Sequence, residues 1–369
     1  MICNSCLMDD SDPNIVFDEF GICSHCEKYK EDELAFIKHK YFNREKEFFE
    51  SLKSDKKYDC IVGLSGGVDS SYIVYLCKLY NINPLLVHVD TGWNSKTAVS
   101  NIKKIVEDTG FDLITHVVPW TAVKNMHIAM LKSNLANQDS VQDHIFFSLL
   151  YKCIHKYKIK VILNGSNFTT EGVSVPSWQH ASLDALILKD VFKKHGNGSI
   201  KGYKFMSFFD YYVKIPFINQ TTVLCPLNYT HYNKVEALTI LKDRFDYEEY
   251  EYKHGESIFT SYFQNIYLIN KYGFDKRKLH YSSLVLSNQA SRQEFLDKLQ
   301  KAPLNKVKQK ELRTYICKKL DISIDELLKF EDPSNLNSYK NYTNWDGLRK
   351  IMLFFSKYIS KFINLKTYH

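Results

Sequence analysis

Residues 60–77 read Cys60-Ile61-Val62-Gly63-Leu64-Ser65-Gly66-Gly67-Val68-Asp69-Ser70-Ser71-Tyr72-Ile73-Val74-Tyr75-Leu76-Cys77. The short apolar run Cys60–Leu64 predicts a buried strand, and the pattern from Tyr72 to Cys77 predicts a helix. Between them a Gly-Gly turn delivers the chain to a helix N-terminus. Free N–H groups and the positive helix end favour an anion there, and Gly66 and Gly67 let the backbone come close to it. Ser65, Ser70 and Ser71 add hydroxyl donors. Asp69 repels phosphate unless a cation lies between them, so the stretch predicts Mg²⁺ on Asp69. It is not a Walker A loop, because the G-x-x-x-x-G-K-[ST] spacing is missing and no lysine lies inside the turn.

The stretch resembles the SGGxDS pyrophosphate loop (PP-loop) of the ATP-pyrophosphatase family. That resemblance implies cleavage of ATP between its α and β phosphates, adenylation of a carbonyl-type oxygen, and displacement of AMP by a nucleophile. Ser65, Gly66, Gly67, Asp69, Ser70 and Ser71 would then hold the pyrophosphate.

Working outward, strands are expected at Pro84–Val89, Leu113–Val118 and Lys160–Leu163, with helices at Thr97–Thr109 and in two stretches from Thr121 to Tyr157. Strands alternating with helices predict an α/β fold with a doubly wound parallel sheet and ligands off its carboxyl edge. The resemblance makes it adenine nucleotide alpha hydrolase-like. Asp90, Trp120 and Asn164-Gly165 fall on the same rim as the turn. His88 and Asp90 are expected to line the nucleotide site, since the second strand of PP-loop enzymes ends at the adenine. Gly165 is expected to admit ribose or adenine.

Before this core stand Cys3-x-x-Cys6 and Cys23-x-x-Cys26. Their spacing predicts a four-thiolate zinc ribbon over residues 1–30, with short strands at Ile15–Asp18 and Gly21-Ile22. Four cysteines leave no open position, so the zinc is expected to be structural, and His25 is expected not to be a ligand. Residues 31–57 predict a helical linker, residues 58–250 the PP-loop domain, and residues 251–369 a mainly helical region. Asp332-Pro333 marks a break in that region, and a closing amphipathic helix is expected from Trp345 to Phe362. Residues 180–245 carry an aromatic, basic stretch, including Phe208-Phe209-Asp210-Tyr211-Tyr212, expected to serve core packing or a subunit contact such as a homodimer.

A second informative stretch is Asn164-Gly165-Ser166-Asn167-Phe168-Thr169-Thr170-Glu171-Gly172, followed by Pro176-Ser177-Trp178. At a strand end it reads as a substrate loop, with Glu171 as a second Mg²⁺ ligand or a base. Farther on, Lys253-His254-x-Glu256 packs a cation, an imidazole and a carboxylate into four residues, and Lys276-Arg277 follow. Arginine pairs with phosphate or carboxylate bidentately, so this group predicts an anionic sugar-nucleotide contact; a surface ion-pair network is the alternative.

Asp143-His144, the Asn164–Trp178 stretch, Lys253–Thr260, Gln264, Gly273–Arg277, Ser282, Gln289 and Arg292 together resemble the N-acetyl sugar amidotransferase family. Asn288 and Ser166 depart from it, each standing where that family favours glycine. The resemblance implies ATP-dependent conversion of an acetamido group to an acetamidino group, in surface-polysaccharide or nonulosonic-acid biosynthesis. It also implies a separate glutaminase and an ammonia-channelling barrel subunit, both histidine-biosynthesis-like, because no G-x-C-x-G elbow is present. Catalysis is assigned to Asp69, Glu171, Lys253 and His254. Substrate contacts are assigned to Asp143, Asn167, Thr170, Trp178, Glu256, Lys276 and Arg277. The rivals are tRNA thiolation, for which Cys225 is the one candidate thiol, and a nucleotide-binding scaffold.

The whole chain fits these expectations. Its 369 residues are 44% hydrophobic and 25% charged with a net charge of +7, the balance of a globular protein with anionic ligands rather than a nucleic-acid binder. The opening residues carry no basic region followed by an apolar run, and no run is long enough to cross a bilayer, so a cytoplasmic enzyme is expected. Nine cysteines there point to metal or buried thiols.

Overall fold

A computed structural model describes residues 1–359. Five strands form one sheet: β1 (Cys60–Gly63), β2 (Pro84–Asp90), β3 (Leu113–Val117), β4 (Val161–Leu163) and β5 (Thr222–Leu224). They lie in the order β3-β2-β1-β4-β5, and every neighbouring pair is parallel. Successive side chains of a strand face opposite sides. Cys60, Val62 and Leu64 therefore pack with helices Val68–Leu79, Lys96–Thr109 and Lys234–Phe245. Ile61, with Leu85, Val87, Val89 and Ile162, packs against helices Trp120–Ser133 and Ser140–Tyr157 on the other face. Burial on both faces is why these strands read as unbroken apolar runs. Because the chain winds outward from β1 in both directions, a crevice opens off the carboxyl ends of β1 and β4.

The fifth strand falls inside the stretch 180–245. Its three residues are too short to stand out among aromatic neighbours. In the same stretch, a wide helical segment at Asp210–Ile218 brings Tyr211 and Tyr212 against Trp345, with Phe208 just before it. These rings pack on the buried Trp345, while Phe209, Phe217 and Ile218 of the same stretch are exposed.

The N-terminal segment differs from expectation in one respect. In place of the strands expected at Ile15–Asp18 and Gly21-Ile22 there is a single antiparallel bridge, Phe17 to Cys23, and a second bridge joins Ile2 to Asp9. A segment this small takes its shape from the thiol cluster and needs no ladder. Helix Ser24–Ile37 starts inside the second cysteine pair, and a short helix Glu45–Glu50 follows. The segment docks on helix Arg277–Leu286 and its neighbours. Leu7 N donates to Ser282 Oγ at 3.0 Å, Lys278 pairs with Asp9 at 2.5 Å, and Arg292 donates to the carbonyls of Cys3 and Cys6.

Helices Lys306–Leu320, Ile324–Glu331 and Asp346–Ile359 close the chain, with the break after Asp332 as expected. The expected end of the last helix at Phe362 lies outside the described residues. Among the described residues no helix is long and apolar enough to cross a membrane.

Candidate active site

The Gly-Gly turn joins β1 to helix Val68–Leu79, whose N-cap Gly67 provides no side-chain cap. The first-turn N–H groups are therefore left for a ligand. Gly66 has φ +86°, and a Cβ there would stand 2.9 Å from the Ala98 carbonyl oxygen, so only glycine fits. The hydroxyls of Tyr247 and Tyr250 both donate to the Gly66 carbonyl, at 2.7 and 2.8 Å. Ser65 Oγ accepts from Gly67 N at 3.2 Å and lies 3.2 Å from Ser70 Oγ, so these two hydroxyls brace the turn. Ser71 Oγ is buried and has no partner among the described residues.

Three rim residues have definite local work. A Cβ on Gly165 would stand 3.2 Å from both Asp69 Cβ and Ser70 N. Gly165 thus admits the close approach of the Gly-Gly turn itself. His88 Nδ1–H donates to the Leu64 carbonyl at 2.8 Å, and its Nε2 accepts from Asn94 at 2.9 Å. Burial holds its pKa below the usual histidine range, which suits this neutral tautomer. Asp90 Oδ1 accepts from Gly92 N at 2.7 Å.

Facing the turn is a cluster of alternating charge. Asp69 Oδ1 accepts the Tyr232 hydroxyl. Glu171 Oε1 accepts from Lys253 Nζ at 2.9 Å, and the same ammonium donates to His280 Nδ1 at 2.8 Å. Burial and the Glu171 charge push the Asp69 carboxyl up, with Lys234 and Lys253 opposing. Burial also disfavours ionised Glu171, but Lys253 and His254 outweigh it and hold its pKa down. Asp69 Oδ2 and Glu171 Oε2 accept no hydrogen bond among the described residues. Two carboxylate oxygens on one rim, completed by phosphate oxygens and water, suit Mg²⁺. Glu256 also reaches the turn, its Oε1 lying 3.5 Å from where a Gly67 Cβ would be and 3.5 Å from His254 Nδ1.

Beside this cluster lies a polar cavity of about 530 Å³ whose wall includes Asp139, Asp143, Glu171, Glu256, Lys276 and His280. Asp143 accepts from Ser182 Oγ at 2.9 Å. Asp139 Oδ1 accepts from Gln142 Nε2 at 2.8 Å and Thr260 Oγ1 at 3.1 Å. Burial, then the Asp143 charge, pushes Asp139 up to about 7. Lys276 is held below its usual range by burial, against the pull of Asp139 and Asp143.

Four expected substrate residues are placed elsewhere. Arg277 clamps Asp275 and the Lys301 carbonyl, so its guanidinium is committed to the backbone of its own region. Trp178 is 1% exposed, stacks on Phe274 at 4.6 Å and donates to the Ser11 carbonyl, cementing the cysteine segment to the core. Asn167 caps the short helix Phe168–Glu171 by accepting from Thr170 N, and Thr170 is buried beneath it. Sequence reasoning missed Tyr232, Lys234, Tyr247, Tyr250, Asp139 and His280. The tyrosines at 247 and 250 lay in a conspicuous acidic-aromatic run, and Asp139 lies one helical turn before Asp143. Lys234 and His280 carried no local signal.

The four cysteines at 3, 6, 23 and 26 are buried, with all sulfurs within 4.8 Å of one another. The Cys3–Cys26, Cys6–Cys23 and Cys23–Cys26 separations are 3.7, 3.5 and 3.7 Å. A tetrahedral zinc with bonds of about 2.3 Å sets its sulfurs about 3.8 Å apart, so the thiols suit that ion. Ser5 N and Cys23 N point at Cys3 Sγ, each at 3.3 Å. His25 turns away to Asp12 at 2.9 Å.

The sequence model described as "LPS biosynthesis protein WbpG-like, C-terminal domain" matches residues 256–352. Over that segment the chain is similar to WbpG-like proteins. The matched WbpG-like segment opens at Glu256, beside the Gly-Gly turn, and supplies Lys276 and His280 to the cavity wall. Curated relatives include the tRNA(Ile)-lysidine synthases of Chlamydia abortus, 36% identical over 74 residues, and Chlamydia caviae, 40% identical over 75 residues. Each match covers 20% of this chain and 23% of the relative, so the chain spans about a quarter of their length. Similar solved structures include an NH3-dependent NAD synthetase from Campylobacter jejuni, at 18% identity and a TM-score of 0.28, covering 60% of this chain and 93% of that one. The U34-tRNA thiolase NcsA from Methanococcus maripaludis matches at 14% identity and a TM-score of 0.33, covering 80% and 88%. Superpositions this loose carry no functional argument.

Proposed function

We propose that this WbpG-like protein is an ATP-dependent amidotransferase that converts the acetamido group of a sugar or sugar nucleotide into an acetamidino group. One observation carries the reading: the uncapped anion-binding turn and the polar cavity share a wall, Glu171 and Glu256. A phosphate held by the turn is thereby brought against a ligand in the cavity. The amide oxygen attacks the α-phosphorus of ATP and pyrophosphate leaves. Ammonia then adds to the imidate carbon, AMP departs with the original amide oxygen, and the amidine takes up a proton. The first-turn N–H groups hold the departing pyrophosphate, and Lys253 and Lys234 offset the charge of Asp69 and Glu171. Asp69 and Glu171 would hold Mg²⁺, which would supply further charge neutralisation. The cavity wall carries four carboxylates against one lysine, which suits a reaction that turns a neutral amide into a cationic amidine. With Arg277 committed elsewhere, Lys276 is the remaining contact for an acidic group on the sugar.

Free ammonia is scarce at neutral pH, so a separate glutaminase with a barrel subunit is proposed as its source, in the cytoplasm where ATP is available. Thiolation fits less well. Cys225 stands just past β5, and burial, then Glu171, pushes its thiol up to about 11, opposite to what a nucleophilic thiolate needs.

Acetamido sugar nucleotides labelled with ¹⁸O in the amide test the reaction, with ATP and ammonium supplied. AMP carrying the label is the expected result, and unlabelled AMP with unchanged sugar defeats the reading. Glutamine serving the isolated chain as well as ammonium would defeat the partnership alone.

A further inference from the structure

We propose that His280 is a substrate-binding residue whose Nε2–H receives the acyl oxygen of the amide to be activated; this rests on the amidotransferase reading. His280 lies on helix Arg277–Leu286 and lines the polar cavity. Lys253 Nζ stands 2.8 Å from its Nδ1. An ammonium has only donors, so Nδ1 must be the nitrogen with the lone pair, and the ring hydrogen sits on Nε2. Lys253 is itself anchored to Glu171 Oε1 at 2.9 Å, which keeps this arrangement in place. The ring stays neutral, because burial and the charges of Lys253, His254, Lys276 and Lys234 all oppose a second proton.

Nε2–H is buried and has no acceptor among the described residues. An unpaired buried donor costs about 1–3 kcal/mol, and folded proteins leave few of them. A ligand atom that only accepts would satisfy it. The ionised carboxylates of Glu171 and Glu256 cannot take that atom, since they accept from sugar hydroxyls and N–H groups but repel a carbonyl oxygen. On the charged part of the wall, the donors are His254, Lys276 and His280, and His254 lies against Glu256 with its Nδ1 3.5 Å from Oε1. Lys276 Nζ is turned to Gln179 Oε1 at 3.4 Å, and Asp139 and Asp143 are the charges that favour its ammonium most. His280 is tied through Lys253 to Glu171, whose charge reaches Asp69 on the phosphate turn. An acyl oxygen that must meet the α-phosphorus therefore belongs with His280. A carbonyl oxygen has two lone pairs, so a hydrogen bond to one leaves the other for phosphorus.

Two substitutions separate this role from a structural one. His280→Gln carries an amide N–H close to the position of Nε2. His280→Asn keeps an acceptor for Lys253 but offers nothing there. In AMP release with ATP, ammonium chloride and an acetamido sugar nucleotide turned over by wild type, His280→Asn should lose about tenfold or more in kcat/KM. His280→Gln should stay within about threefold of wild type. The reverse order, or equal losses, would show that His280 only props Lys253. Matching thermal midpoints and zinc contents guard against misfolding. Nitrogen-15 NMR of histidine-labelled full-length protein reads the tautomer without any substrate. Hydrogen on Nε2 between pH 6 and 8 is expected, and hydrogen on Nδ1 or a doubly protonated ring overturns the assignment. Wild type that releases no AMP with any such sugar would instead defeat the amidotransferase reading, leaving the tautomer result standing by itself.

Discussion

Single residues in this site act through their neighbours' charge. Asp69 and Glu171 crowd each other, and the one bonded to Lys253 keeps its charge while the other is pushed toward its acid form. Asp139 shows the same physics in a form that stability can report. Its carboxyl rises from 3.8 to about 7 because it is buried beside Asp143, against the weaker pull of its hydrogen bonds from Thr260 and Gln142 and of His254. The folded protein therefore binds this proton more tightly than the unfolded chain does. That stabilisation is complete below about pH 4 and is lost as pH rises through about 7, where a buried charge must form. Asp139→Asn removes the titration. Its thermal midpoint relative to wild type should be several degrees more favourable at pH 8 than at pH 5. Equal differences at the two pH values would contradict the assignment of Asp139 as a buried, late-titrating acid.

At the scale of elements, the decisive piece is the start of helix Val68–Leu79. Its open N–H groups point one way only while the turn holds its left-handed Gly66 in place, and the proposed phosphate site depends on that. Tyr247 and Tyr250 hold it by donating to one carbonyl from a segment far along the chain. Each such hydrogen bond contributes about 1 kcal/mol net. The double variant Tyr247→Phe/Tyr250→Phe should weaken ATP binding about tenfold or more, measured by isothermal titration calorimetry, with each single change intermediate. An unchanged Kd in the double variant would mean the turn is rigid without them.

The whole molecule couples its thiol cluster to its cavity. Helix Arg277–Leu286 presents His280 to the cavity and, with its neighbour Arg292, holds the cysteine segment through Ser282, Lys278 and Arg292. Trp178 adds a stacked contact to the same joint. A segment that owes its shape to four thiolates loses that shape without metal. Stripping metal with a chelator should lower the thermal midpoint and AMP release together, and added zinc should restore both. Activity that survives complete metal loss would show that the joint does not support the site.

The local chemistry was written in neighbouring residues. The glycines and acid of Ser65–Ser71, the two Cys-x-x-Cys pairs and the strand–helix alternation each occupy a few consecutive positions, so periodicity and turn chemistry expose them directly. The parallel sheet with its ligand edge at the carboxyl ends was legible for the same reason, whereas the short fifth strand and the strand order came only with the fold. What faces the cavity was not. Lys276 and Arg277 are adjacent, yet successive positions entering a helix turn through about 100°, so one reaches the cavity and the other clamps Asp275. Glu171, Lys253 and His280 form one hydrogen-bonded chain although 82 and 27 residues separate its links. Only the packed sheet and the helices around it bring those groups together. A buried charge is shifted by whatever is packed beside it in space, and a linear sequence does not record that distance.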